Sequence, residues 1–221
     1  MIPFRPAAVI CDMDGLLVDS ERLERRVWQL AARDHGVEMS DERFATFIGH
    51  PIDECERMLA GYYGDALDIA AYRDTCHRHM RTIVDAEGVP LRPGAAAWLD
   101  FVAALAIPLG VATSSGPALV QERLGSQLHR FHAVVTRADV ARGKPDPDLY
   151  LEAASRLGAD PASCLALEDS PTGARAAMAA AMPVLIVPDM VHPPAQIARQ
   201  AAGVYASLDA VREAAARAWV R

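Results

Sequence analysis

Two aspartates, Asp12 and Asp14, stand two residues apart in the segment VICDMDGLLVDSE, which begins at residue 9. The apolar residues 7–11 before them predict a short buried strand, and Gly15 directly after them predicts a turn. Ligands of open α/β sheets bind just beyond the carboxyl ends of the strands. The two carboxylates are therefore predicted to lie where a ligand binds.

Three further polar clusters follow predicted strands and read TSSG at 113–116, KPDP at 144–147 and EDSP at 168–171. Neighbouring carboxylates at one sheet edge would repel each other by roughly 4 kcal/mol per pair at about 4 Å, for an effective dielectric of about 20. A hard cation removes this repulsion, and Mg²⁺ typically binds one or two carboxylates together with waters and a substrate phosphate. The acidic clusters therefore indicate a magnesium site.

The remaining polar residues are of types that bind an anion. Thr113 and the backbone amides that begin the next helix, after Gly116, can hold a phosphate group. Lys144 is the only lysine among the 22 basic residues, which suggests that its position needs a compact point charge; chance in an arginine-rich chain is the alternative. A metal, an anion site and a nearby carboxylate are together the equipment of phosphoryl transfer.

The elements that position these clusters alternate along the chain. Beyond the turn-rich residues 88–94, the pattern predicts strands at 108–113, 133–136, 163–167 and 184–187, a short one at 204–205, and intervening helices. Such alternation indicates βαβ units and a parallel sheet with helices on both faces. Residues 20–87 show no strand pattern and are predicted to be helical.

The first strand is thus separated from its sheet partners by a helical block. We predict an α/β fold, with a Rossmann-like parallel-sheet core formed by residues 1–19 and 89–221. An all-helical cap domain, residues 20–88, is inserted between the two parts of the core. At the carboxyl edge of the sheet it would act as a lid.

Composition limits the possible partners. The chain has 221 residues, a net charge of −7 and a pI near 5.5, which argue against nucleic acid or an anionic membrane as partners. No apolar run approaches the length of a membrane span, residues 1–6 lack the apolar core of a signal peptide, and the four cysteines are scattered. We expect a soluble cytoplasmic protein, a monomer or weak dimer, that acts on a small phosphorylated metabolite.

The four stretches resemble the four motifs of the haloacid dehalogenase (HAD) superfamily, in its phosphatase and β-phosphoglucomutase-like branch. They occur in the order and spacing of that superfamily, and the resemblance spans the chain, including the helical cap after the first motif. It implies a Mg²⁺-dependent phosphatase. The residues of this chain that match the four motifs are DMDG at 12–15, Thr113 with Ser114, Lys144 with Pro145, and Glu168-Asp169 with Gly173.

The resemblance also implies a role for each motif residue. Asp12 would be the nucleophile that forms an aspartyl-phosphate, and Asp14 the general acid that protonates the leaving oxygen and then activates water. Thr113, Ser114 and Lys144 would bind the phosphoryl group. Magnesium would be held by Asp12, the backbone carbonyl of Asp14, Glu168 and Asp169.

The cap is expected to choose the substrate. Sugar-phosphate mutases of this branch carry a Lys-Gly-x-x-Arg stretch and a histidine there, whereas this chain reads IGHPI at 48–52, with Glu24 at the histidine's place. A mutase must hold a second phosphate, so hydrolysis, with a sugar phosphate as the best candidate substrate, is favoured. Gly49 and His50 are candidate substrate-binding residues.

Other readings remain open. A mutase would need cap charges from elsewhere, such as Arg22, Arg25 or Arg43. A dehalogenase is disfavoured because Asp14 and the acidic pair at 168–169 mark the magnesium-dependent branch of the superfamily. A non-catalytic protein that only binds a phosphorylated ligand would not require the full set of motif residues. Each motif taken alone could also be a local turn, a helix cap or a helix start.

Overall fold

The computed structural model describes residues 2, 4–48, 50 and 52–220, and the chain divides into two compact units. The first unit runs up to Asp19 and resumes at Leu91, and the second runs from Ser20 to Pro90. We call them the core unit and the helical unit.

Within the described residues, six strands form one sheet in the core unit. They are β1 (Ala8–Cys11), β2 (Leu109–Ala112), β3 (Ala133–Val135), β4 (Cys164–Glu168), β5 (Val184–Ile186) and β6 (Gly203–Val204). Their order is β3-β2-β1-β4-β5-β6, and every neighbouring pair is parallel. The predicted α/β fold with a parallel sheet is therefore confirmed.

The central strand, β1, comes from the start of the chain. Cys11 at its end is in register with Val111 of β2 on one side and Leu167 of β4 on the other. The segments AVIC, LGVA and CLALE of β1, β2 and β4 are buried along their whole length, as expected for a sheet covered on both faces. Because the strands are parallel, all their carboxyl ends meet at one edge.

Ten α-helices are described in the two units. They are α1 (Ser20–Asp34), α2 (Asp41–Ala45), α3 (Ile52–Tyr63), α4 (Ile69–Glu87), α5 (Ala95–Ala104), α6 (Pro117–Leu124), α7 (Asp148–Arg156), α8 (Pro171–Ala179), α9 (Ala195–Gln200) and α10 (Leu208–Trp219). None of these described helices combines the length and the apolar character that crossing a bilayer requires. The short helix α9 was not predicted, because a single buried residue, Ile197, gives its six residues no apolar period.

The helical unit has its own apolar core. Leu23 and Val27 of α1 pack with Ile83 of α4. The ring of Trp28 lies 5.0 Å from that of Phe47 and 6.2 Å from that of Tyr72, measured between centroids. These contacts join the first and last helices of the unit, so residues 20–90 form a packed body rather than a loop.

The two connections between the units lie side by side in the core unit. Val18 and Leu91 form an antiparallel bridge, and the amide of Arg92 donates to the carbonyl of Leu17 at 2.9 Å. Arg92 is also paired with the buried carboxylate of Asp189. The chain therefore leaves and re-enters the core unit at one fixed place.

Candidate active site

The acidic residues of the predicted site lie at the carboxyl ends of β1 and β4. Asp12 follows β1, and its amide donates to the carbonyl of Leu167 at 2.9 Å. Glu168 is the last residue of β4 and is fully buried, and Asp169 follows it. The carboxylates of Asp12, Glu168 and Asp169 each offer one oxygen, and these oxygens lie within 4.8 Å of one another.

Lys144 joins two of these carboxylates. Its Nζ donates to Asp12 Oδ1 and to Glu168 Oε1, at 2.5 Å in each case, and its side chain is only 6% exposed. The ring of Tyr150, on α7, lies 5.2 Å from Nζ, and the Tyr150 hydroxyl donates to Glu168 Oε1 at 2.7 Å. The lone lysine thus lies among the acidic residues, as the sequence suggested.

The charges in this group shift one another's pKa values. Burial raises the pKa of Asp12 to about 7 against the attraction of Lys144, and the charges of Glu168 and Asp14 add to the rise. Burial acts to lower the pKa of Lys144, but the attraction of Asp12 and Glu168 outweighs it and the net shift is upward. The three carboxylates lie close enough to repel one another, and this repulsion favours a bound cation.

The oxygen donors fit Mg²⁺, a hard cation that prefers carboxylate ligands. Both carboxylate oxygens of Glu168 accept hydrogen bonds. Its Oε1 accepts from Lys144 and Tyr150, and its Oε2 accepts from the Ser170 amide at 3.3 Å and hydroxyl at 3.1 Å. Glu168 thus holds Lys144 beside Asp12, and Asp12, Glu168 and Asp169 remain the candidate carboxylate ligands.

Two glycines allow the carboxylates to come this close. A Cβ atom at Gly15 would lie 2.2 Å from Asp169 Oδ2, and one at Gly173 would lie 1.8 Å from Glu168 Oε1. Gly15 also has a φ of +76°, which side chains other than glycine rarely adopt. The turn after β1 and the first turn of α8 are therefore shaped around the acidic group.

Asp14 is not one of these three close carboxylates, and its side chain contacts the turn after β2 and the helix α6. Its Oδ2 accepts from the Ser115 hydroxyl at 2.7 Å, and its Oδ1 accepts from Arg123. The sequence assigned no role to either partner. The only available signal was that Arg123 belongs to a helix that begins next to a site motif. The expected contribution of the Asp14 carbonyl to metal binding stays a prediction.

The predicted anion-binding residues follow β2, which adjoins β1. Thr113 is buried, its amide donates to the carbonyl of Val135 at 3.0 Å, and its Oγ1 accepts from the Ser115 amide at 3.0 Å. Ser114 is exposed. Both residues thus lie at the same edge of the sheet as Asp12, and their roles in phosphate binding stay predictions.

The structure describes one of the two candidate substrate-binding residues of the predicted cap. His50 is exposed, and its Nδ1 lies 3.1 Å from a carboxylate oxygen of Glu54 on α3. Gly49 lies outside the described residues. Their predicted contact with substrate is not tested by the structure of the helical unit.

Comparison with known proteins decides the family. A sequence model of haloacid dehalogenase-like hydrolases matches residues 6–181. The chain belongs to the haloacid dehalogenase-like hydrolases. The predicted family is therefore confirmed. The predicted class of enzyme, a phosphoric monoester hydrolase, is also confirmed, since curated relatives of this hydrolase are phosphatases.

Two relatives and one solved structure illustrate the similarity. This hydrolase is 35% identical to hexitol phosphatase A of Escherichia coli (strain K12), over 80% of each chain. It is 32% identical to validoxylamine A 7'-phosphate phosphatase of Streptomyces hygroscopicus subsp. limoneus, over 75% of this chain and 78% of the relative. A HAD family hydrolase from Deinococcus radiodurans R1, crystallised with bound phosphate and sodium, has a TM-score of 0.82 at 29% identity, covering 99% and 97% of the two chains.

Proposed function

We propose that this hydrolase is a Mg²⁺-dependent phosphatase that acts on a small phosphorylated metabolite, best a sugar phosphate, through an aspartyl-phosphate at Asp12. The observation that carries the proposal is the buried group of Asp12, Glu168 and Asp169 with Lys144 between two of them. It combines a carboxylate nucleophile, a surplus of oxygen ligands for a cation and a fixed positive charge. Metal-assisted phosphoryl transfer through an aspartyl-phosphate uses all three.

The residues divide the reaction into two steps. Asp12 attacks phosphorus with one carboxylate oxygen, the bond from phosphorus to the leaving oxygen breaks, and Asp14 gives that oxygen a proton. Asp14 then takes a proton from the water that attacks the aspartyl-phosphate, and inorganic phosphate leaves.

The surrounding groups keep the nucleophile in place. Lys144 and Glu168 fix the position of Asp12, and Thr113 and Lys144 bind the phosphoryl oxygens. When bound, Mg²⁺ would neutralise the carboxylates and the phosphate, held by Asp12, Asp169 and the Asp14 carbonyl.

The substrate class rests on the relatives and on the chemistry of the site. One of the two relatives is named for a hexitol and the other for validoxylamine A 7'-phosphate. Both names describe phosphatases of small phosphorylated compounds, which agrees with a chain that is acidic overall. A sugar phosphate is therefore the first class of substrate to test.

The mutase alternative needs a second phosphate site in the helical unit. Arg25 lies 3.4 Å from the carboxylate of Asp41, and the guanidinium of Arg43 lies within 5.2 Å of the ring centres of Tyr62 and Tyr63. These two arginines are already engaged, so they supply no ready anion site. Hydrolysis remains the better-supported reaction.

The test is hydrolysis of a panel of phosphate esters with and without Mg²⁺, using wild type and Asp12→Asn. The panel contains sorbitol 6-phosphate, glucose 6-phosphate, glycerol 3-phosphate and p-nitrophenyl phosphate. We expect phosphate release that needs Mg²⁺ and falls at least about 10³-fold in Asp12→Asn, because the nucleophile is lost. Activity that survives either the substitution or EDTA would exclude the mechanism, and conversion of a sugar 1-phosphate to its 6-phosphate would favour the mutase.

A further inference from the structure

Asp14 is held by both of its carboxylate oxygens. The Ser115 hydroxyl donates to Oδ2 at 2.7 Å, and the Arg123 guanidinium donates to Oδ1. Arg123 is 12% exposed in its side chain and Asp14 is 25% exposed, so the contact is largely shielded from solvent. An ion pair with this little exposure is screened less by water and salt than a surface pair.

The two donors come from one rigid segment. Ser115 lies in the turn after β2, and Arg123 lies in the last turn of α6, which begins at Pro117 behind the cap residue Gly116. A cation in the last turn also complements the helix dipole, which is the simplest structural reason for an arginine there. The helix dipole does not, however, require the side chain to reach Asp14, two residues after Asp12.

The two donors are chemically different. A guanidinium has five N–H donors and no acceptor, so Arg123 holds Oδ1 as a fixed hydrogen-bond acceptor. A hydroxyl can both donate and accept and can rotate, so Ser115 can adjust its hydrogen bond to Oδ2 when a substrate binds. Arg123 therefore sets the direction in which the carboxyl group of Asp14 faces.

We propose that Arg123 is a positioning residue that fixes the carboxyl group of Asp14 by Oδ1 and so presents Oδ2 to the leaving oxygen of the substrate. The proposal rests on the proposed function, because it assigns Asp14 as the general acid of that reaction. It adds a residue outside the four motifs to the machinery of proton transfer.

This role has a kinetic signature that a purely structural role lacks. The constant kcat/KM covers only the steps up to formation of the aspartyl-phosphate, in which Asp14 protonates the leaving oxygen. A sugar alkoxide is a poor leaving group and needs that proton, whereas p-nitrophenolate is stable as an anion and does not. Misplacing Asp14 should therefore slow hydrolysis of the sugar phosphate selectively.

The experiment compares kcat/KM for p-nitrophenyl phosphate with that for the sugar phosphate of the panel that wild type hydrolyses fastest. Arg123→Met should lower kcat/KM for the sugar phosphate by about 10–100-fold, the range expected when a catalytic group is misplaced, and should leave p-nitrophenyl phosphate within about threefold of wild type. Arg123→Lys should recover part of the loss because it restores the charge. In an Asp14→Asn background, Arg123→Met should not change the ratio further.

Arg130→Met is the matched control, since Arg130 follows α6 and pairs with the exposed carboxylate of Asp100. It should change neither constant. An equal loss on both substrates in Arg123→Met, or no loss on either, overturns the proposal. If Arg123→Met does not fold, as judged by circular dichroism, Arg123→Lys decides in its place, and an unchanged ratio in that variant overturns it.

The two proposals fail in different ways. Wild-type activity that is independent of Asp12 or of Mg²⁺ refutes the proposed function and the Arg123 inference with it. Activity that depends on both, with a substrate ratio that Arg123 does not affect, refutes the Arg123 inference alone.

Discussion

Adding one methyl group at Gly173 tests whether close packing around Glu168 holds the site together. A Cβ there would lie 1.8 Å from Glu168 Oε1 and 2.0 Å from its Cδ. Comfortable contact needs about 3.5 Å, so the carboxylate would have to retreat by about 1.5 Å. Glu168 is fully buried and ends a strand, so it has no open space to enter. Gly173→Ala should therefore disturb the contacts of Glu168 with Lys144 and Tyr150.

The size of the effect follows from those contacts. Each hydrogen bond to a charged group contributes about 1.5–3 kcal/mol, so weakening two of them should destabilise the protein by about 3 kcal/mol. Alanine instead of glycine in a helix would contribute only about 1 kcal/mol in the opposite direction. Because Glu168 positions Lys144, and Lys144 positions Asp12, kcat/KM should fall by about 10²-fold.

The assays are calorimetric unfolding and hydrolysis of p-nitrophenyl phosphate. Gly61→Ala is the matched control, because Gly61 lies within α3 and a Cβ there would meet nothing within 4 Å. The control should be as active as wild type and equally or slightly more stable. If Gly173→Ala behaves like Gly61→Ala in both assays, the reasoning from packing around Glu168 is wrong.

Two further predictions concern the core unit. Tyr150→Phe keeps the ring beside Lys144 but removes the hydroxyl that donates to Glu168. It should lower the free energy of unfolding, measured in urea, by about 1.5–3 kcal/mol, and an unchanged urea midpoint would contradict this. The hydrogen bond from the Thr136 side chain, with a weaker contribution from Arg156, lowers the pKa of Asp139 to about 2. Its folded pKa is below its unfolded value, so Asp139 stabilises the fold above about pH 4 and stops doing so as the pH falls towards about 2. The melting temperatures of wild type and Asp139→Asn should therefore converge on acidification, and a constant difference would refute the assignment.

The sheet and its acidic edge could be predicted because both follow local rules. Buried parallel strands are continuous apolar runs, and the polar residues directly after them must meet at one edge. The predicted strand boundaries differ from the observed ones by a residue at several ends, and one difference matters: the predicted strand 163–167 stops before Glu168, which is in fact the buried last residue of β4. A charged residue normally argues against a buried strand position, and only its partners in the fold make it tolerable there.

The side chains that support the motifs could not be predicted in the same way. Tyr150 lies on α7 and Arg123 on α6, and each reaches the site from a helix rather than from a strand end. Which side chain of a helix faces the sheet edge depends on how that helix packs, and the apolar period of a short helix constrains this only loosely. The motifs therefore predicted which residues lie together at the sheet edge, while the helix residues that contact them became visible only in the fold.

The solitary lysine shows how the two kinds of information combine. Arg26, for example, binds the single carboxylate of Glu87 with two nitrogens, at 2.8 and 3.0 Å. Lys144 instead places one nitrogen between carboxylates of two different strands, in a side chain that is almost fully buried. A planar guanidinium is matched to a single carboxylate, whereas a compact ammonium can donate in several directions from one point. The geometry thus gives a physical reason for a lysine at this one position, in a chain whose other Lys and Arg positions are all arginine.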